Sequence, residues 1–151
     1  MRIFCDTNII LEFLQKRTYC ELVESVISYA IESKHKLFIS FGSFYTITYL
    51  VEKYIKQESL SKQDRLKKLR SILNGVLDTF ELAKHTSFCL KNSVNDSIFD
   101  DLEDSYQAHI AEDSGCDMIL TINEKHFSKF AEKNSLEILT PQGFIEKYIN
   151  N

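Results

Sequence analysis

Chain-breaking residues are scarce: four glycines and a single proline, Pro141, occur in 151 residues, and tryptophan is absent. So few breaks leave no room for long flexible linkers, and no internal repeat is visible. No apolar run approaches the roughly 20 residues that a membrane-spanning helix needs. The N-terminus also lacks the basic region and long apolar stretch of a secretory signal. The four cysteines, Cys5, Cys20, Cys89 and Cys116, stand apart from one another, and none has a Cys or His within three residues. That spacing argues against zinc fingers and a disulfide framework, and for free thiols in a reducing, cytoplasmic setting. A glycine-rich first turn of the kind that cradles a dinucleotide is missing too.

What is present is ordinary globular material, 44% hydrophobic and 26% charged, sized for a single domain over residues 1–151. Arg2 to Cys5 is a short apolar run stopped by Asp6-Thr7-Asn8. Ile9, Ile10, Phe13 and Leu14 then recur at helical spacing, so a buried strand feeds directly into a helix from about Asn8 to Lys16. Amphipathic spacing predicts a second helix over Tyr19–Ser33. A strand over Lys36–Ser40 leads to helices over Phe44–Lys56 and Ser61–Asn74, the latter ended by Gly75. A weak third strand is expected over Val76–Phe80, with helices over Lys84–Asn92 and Asp100–Ser114. Strands at Asp117–Thr121 and Leu136–Leu139 flank a short helix and loop, and Thr140-Pro141 opens a last helix. Strands apolar on both faces that alternate with helices predict a three-layer α/β/α sandwich around a mainly parallel sheet of about five strands.

The net charge of −4 conceals two opposed stretches. Lys53 to Arg70 holds seven basic residues against Glu58 and Asp64, whereas Asp96 to Asp117 holds eight acids and no lysine or arginine. Two such stretches suit a polyanion held at one and reacting at the other, although solvated helix faces explain the basic stretch as well. Asp6, at the end of the first strand, sits at the edge where open α/β sheets bind ligands. Far downstream lies Asp100-Asp101-Leu102-Glu103-Asp104. A capping box accounts for Asp100 and Glu103; it does not need Asp101 and Asp104, which share a helix face with Ala108 and Ala111. Small residues there let the helix lie close to the sheet and aim those carboxylates at Asp6. Acids gathered in this way repel unless protonated or paired with a cation, and oxygen-only ligands favour Mg²⁺ or Mn²⁺ over zinc.

At these residues the sequence resembles the PIN domains, metal-dependent nucleases that include the toxins of VapBC toxin–antitoxin pairs. The segments that carry the resemblance are Arg2 to Leu11, Asp101-Leu102-Glu103-Asp104-Ser105-Tyr106-Gln107, Gly115 to Asn123 with His126-Phe127, and Leu139-Thr140-Pro141. They follow one another in order along essentially the whole chain. The resemblance implies a metal-dependent ribonuclease that hydrolyses RNA phosphodiester bonds with Mg²⁺ or Mn²⁺, acting as a homodimer with an antitoxin protein as partner and no membrane. Asp6, Asp104, Glu103 and Asp101 would be the catalytic and metal-binding acids, with Thr7, Asn8, Thr46, Thr121 and Asn123 orienting ligands and waters around them. Three positions depart from the family pattern: Thr46 stands where a Glu is common, Asn123 where an Asp is common, and His126 where the subgroup often shows an Asp. The rival reading from the same departures is a PIN domain that no longer cleaves and serves as an RNA- or protein-binding module. Tyr45, Tyr49 and Tyr54, beside the basic stretch, are expected to pack half-buried rather than to stack on bases.

Overall fold

In the computed structural model, which describes residues 1–150, five short strands form one parallel sheet. They are β1 (Arg2–Cys5), β2 (Lys36–Ser40), β3 (Glu81–Ala83), β4 (Met118–Leu120) and β5 (Glu137–Leu139), in the spatial order β3-β2-β1-β4-β5. β1 is central, with Ile3 opposite Leu37 on one side and Met118 on the other. Successive strand residues point to opposite faces, and both faces are covered. Ile3, Cys5, Leu37, Ile39, Met118 and Leu120 pack with α1 (Thr7–Leu14), α2 (Cys20–Glu32), α3 (Phe41–Ile55), α4 (Lys62–Thr79) and the start of the C-terminal helix. Phe4, Phe38 and Ile119 face α5 (Ser87–Asn95), α6 (Leu102–Asp113) and α7 (Glu124–Ala131). The C-terminal helix α8 (Pro141–Phe144) runs on as a π-helical stretch, Ile145–Ile149. The result is the expected α/β/α sandwich. Among the described residues, no helix is long and apolar enough to cross a membrane.

Several boundaries differ from those read in the sequence. Helix α3 begins at Phe41 instead of Phe44, because the Ser40 hydroxyl accepts the Ser43 N–H at 2.9 Å and caps it there. Helix α4 does not stop before Gly75. Buried Leu69 and Val76, with Ile72 and Leu73 partly buried between them, carry the helical period through the glycine. The third strand therefore falls at Glu81–Ala83, where Glu81 pairs with Phe38, and not at Val76–Phe80. Helix α5 starts at Ser87, three residues later than expected, because Thr86 accepts the Cys89 N–H. The cap of α6 is Asp101, not Asp100: its Oδ1 accepts the Glu103 N–H at 2.7 Å, and the Asp100–Glu103 capping box does not form.

The ends of β1 and α6 are joined by Arg2, which donates to the carbonyls of Gly115 and Ser114 and lies 4.3 Å over the Phe38 ring. Gly115 itself sits at φ +63°, a conformation that suits glycine, and turns α6 toward β4. The four cysteines are free. Burial pushes the thiol of Cys116 up to about 11 and raises that of Cys5 further, so both stay protonated at neutral pH.

Candidate active site

All five strands run the same way, so the residues that follow β1, β2 and β4 gather at one edge of the sheet. Asp6 follows β1 directly and is 2% exposed. A buried carboxylate needs donors, and Asp6 has two: Gln107 Nε2 donates to Oδ1 at 3.0 Å, and Thr121 Oγ1 donates to Oδ2 at 2.7 Å. The Gln107 side chain uses its other end too, its Oε1 accepting the Thr7 N–H at 3.2 Å. One amide thus ties α6 to the start of α1. Thr121 in turn accepts the Asn123 N–H at 3.0 Å, so the turn after β4 is fixed to the same carboxylate.

Thr7 Oγ1 lies 2.9 Å from Ser43 Oγ and 3.2 Å from Glu103 Oε1, and Ser43 Oγ lies 2.9 Å from Ser40 Oγ. This chain of hydroxyls links α1, β2, α3 and α6. Asp104 turns the other way: its Oδ2 is 2.8 Å from His126 Nδ1 on α7. Asp6, Asp101, Glu103 and Asp104 line one cavity of about 220 Å³ together with Thr7, Asn8, Thr46, Gln107, Asn123 and His126, and neither lysine nor arginine is in its wall. Thr121 lies behind the wall, fully buried, and reaches the cavity through Asp6.

The electrostatics follow from that enclosure. Burial raises the Glu103 carboxyl above its ordinary value, and the charges of Asp6, Asp101 and Asp104 add to the effect against the Thr7 hydroxyl, which lowers it. Burial likewise raises Asp104, with Asp6 and Asp101 adding to it and His126 opposing. The acids are close enough to feel one another. They are not drawn onto one point: among the described residues, no three His, Cys, Asp or Glu side chains are gathered so as to hold a metal ion as they stand. Asp101 is engaged as the α6 cap, Glu103 with Thr7 and Asp104 with His126.

The sequence reading gave no role to Gln107, Ser43 or His126. Gln107 had a signal, a long polar side chain next to the small, sheet-facing Ala108 of α6, and it is 2% exposed. His126 had a signal as well, standing where the family resemblance expects an acid, whereas Ser43 reaches the site only through folding and nothing in its spacing announces it. The basic stretch is partly neutralised, Lys56 by Glu52 just before it and Lys68 by Glu58 within it. Tyr45 and Tyr49 are not half-buried: they are 70% and 63% exposed on α3, whose neighbouring Thr46 and Leu50 line the acidic cavity.

A parallel α/β/α sandwich with acids from β1 and α6 at its strand-end edge is the class of molecule that fold and site define, and the chain belongs to the PIN domain family. The family model of that description matches residues 2–125. Ribonuclease VapC1 of Aquifex aeolicus (strain VF5) is 25% identical over 149 residues, which cover 97% of this chain and 95% of that protein. Among solved structures, the crystal structure of VapBC2 from Rickettsia felis bound to a DNA fragment from their promoter contains a chain with the same fold. The TM-score is 0.64 at 15% identity, over 93% of this chain and 98% of that one.

Proposed function

We propose that this protein is a ribonuclease of the VapC type, the toxin of a toxin–antitoxin pair, which hydrolyses RNA phosphodiester bonds with a divalent cation held by Asp6, Asp101, Glu103 and Asp104. The observation that carries the reading is the cavity at the strand-end edge, walled by four carboxylates and free of lysine and arginine. Its donors are of the hard, oxygen type that Mg²⁺ and Mn²⁺ prefer, with carboxamides of Asn8 and Asn123 beside them. Burial first, and the neighbouring acids after it, raise the Glu103 and Asp104 carboxyls; it is the oxygen donor set of the wall that fits such an ion. A divalent cation there supplies Lewis acidity and offsets charge on phosphate oxygens.

The rest is done by the chain itself. Gln107 and Thr121 hold both oxygens of Asp6 in one orientation, so this acid is placed before any ligand arrives. Asp104 and Glu103 are the adjustable members, each held by one neutral or exchangeable partner, His126 or Thr7. To hold a cation, each would have to give up that partner. An antitoxin protein is the partner this reading brings with it, consistent with a VapBC complex among the structural relatives; the homodimer follows from the family resemblance.

The test is cleavage of single-stranded RNA over a titration of Mn²⁺ and Mg²⁺, with Asp6→Asn beside the wild type. The wild type should cut and Asp6→Asn should lose activity by at least about 100-fold, the scale on which charge-stabilising groups act. Equal inactivity of both proteins at every metal concentration, with RNA still bound, would instead make the protein a binding module on this fold.

A further inference from the structure

A second cavity, of about 330 Å³, adjoins the acidic one and shares Thr46, Glu103 and Gln107 with it. Its far wall is apolar and aromatic: Phe41, Leu90, Tyr106 and Ile110, with the ring of His85 among them. Phe41 and His85 meet edge to face, their ring centroids 6.0 Å apart. Two features are out of place for a wall that serves only the fold. Phe41 is 42% exposed, although it is a large aromatic residue. The Nδ1 of His85 is buried without any hydrogen-bond partner, and buried polar atoms in folded proteins are nearly always paired.

We propose that this cavity takes the nucleobase next to the scissile phosphate, stacked against Phe41 and hydrogen-bonded by His85, and so sets which base stands beside the cut. The inference rests on the ribonuclease reading and deepens it. A phosphate in the acidic cavity carries its neighbouring nucleotide to within one sugar of the shared wall. That wall has no lysine or arginine to hold a second phosphate. It offers instead flat apolar surface and one uncommitted polar ring, which is what an unstacked base requires: an aromatic face on one side and a hydrogen bond at an edge. Gln107 and Glu103 are already bonded within the acidic site, whereas His85 Nδ1 has no hydrogen-bond partner. Nδ1 is closed off as the ring stands, and a turn of the ring toward the cavity would offer it to a base edge.

The experiment is cleavage of a pool of single-stranded RNA of randomised sequence in Mn²⁺, with sequencing of the cut ends, for wild type, Phe41→Ala and His85→Leu. The wild type should show a base preference at one position beside the cut. Both variants should lose that preference and fall roughly 10-fold in kcat/KM on the preferred RNA, the size of one base–aromatic stack, through KM and not kcat. A preference unchanged in both folded variants overturns the proposal. So does an unchanged cutting pattern accompanied by weaker binding of an antitoxin, which would assign the cavity to a protein side chain. If the wild type does not cut, the ribonuclease reading falls separately. The cavity is then tested with the Asp6→Asn protein and a short RNA carrying 2-aminopurine at successive positions. Stacking should quench one position, and Phe41→Ala should restore its fluorescence; equal quenching with and without Phe41 overturns the base site.

Discussion

Asp6 shows how much of an acidic site is built by neutral residues. Its carboxylate is almost out of water, yet neither oxygen is bonded to a cation; a buried amide and a buried hydroxyl do that work. Thr121 carries two duties at one atom, donating to Asp6 Oδ2 and accepting the Asn123 N–H. Thr121→Val keeps the shape and removes both bonds, leaving Asp6 Oδ2 and the Asn123 N–H without partners while Gln107 still holds Oδ1. The expected loss is about 2 kcal/mol in urea unfolding of the metal-free protein, within the usual cost of orphaned buried groups. Thr121→Ser should lose far less. A valine variant as stable as the wild type would mean that the hydroxyl does not hold Asp6. Asp6 was legible in the sequence because a strand end is a conspicuous place for an acid. Thr121 was visible as the end of an expected strand and, through the family resemblance, as a residue orienting ligands; Gln107 was visible only as a polar residue on a buried helix face.

At the scale of elements, the sequence predicts best where the period is long and fails where one residue is read as punctuation. Strands β1, β2 and β4 are unbroken apolar runs, and the helix that carries the acids is marked by its charges. Helix α4 shows the opposite case, since Gly75 reads as a stop yet the apolar spacing from Leu69 to Val76 overrides it. A Cβ placed on Gly75 would meet nothing within 4 Å. Gly75→Ala should therefore stabilise the protein by roughly 0.5–1 kcal/mol, by removing freedom from the unfolded chain. A rise in the urea midpoint without a change in slope is the expected readout; a fall would show that the glycine serves a contact.

The junction of α5 with α6 has its own lock. Asp96 accepts the Ile98 N–H and lies 2.9 Å from His109 Nε2. Burial alone would raise the Asp96 carboxyl, but the Ile98 N–H and the His109 ring outweigh it and hold the group below its ordinary value. A carboxyl depressed in the fold contributes stability that is present above its unfolded value, ordinarily about 3.9, and is lost as the pH falls through the folded one. Asp96→Asn should therefore cost about 1 kcal/mol near pH 7, and the gap to wild type should close below about pH 4. A gap that stays constant to pH 3 would assign the loss to packing and not to charge.

For the whole molecule, the arrangement joins distant parts of the chain at a point that costs stability in the absence of a ligand. β1 and α6 are about a hundred residues apart in sequence, and their junction is made of like charges, eased by Thr7, Gln107 and His126. A cation bound only by the folded protein should add stability in proportion to the logarithm of its concentration, about 2.7 kcal/mol at a hundredfold excess over Kd. In a chain of this size that is roughly 5–10 °C in melting temperature. Mn²⁺ or Mg²⁺ should raise the wild-type melting point by such an amount over EDTA, and Asp104→Asn should lose most of the gain while melting no lower without metal, because it removes one repelling charge. Thr46 lines the same cavity without contributing charge. Thr46→Glu should lower the melting point in EDTA and enlarge the rise in Mn²⁺, because the added carboxylate repels its neighbours until a hard cation engages it. Equal metal shifts in wild type, Asp104→Asn and Thr46→Glu would place any bound cation elsewhere and leave these acids without a common ligand. Opposite displacements of the two variants from the wild type are the signature of one shared site, because only then does removing a charge and adding one act on the same equilibrium.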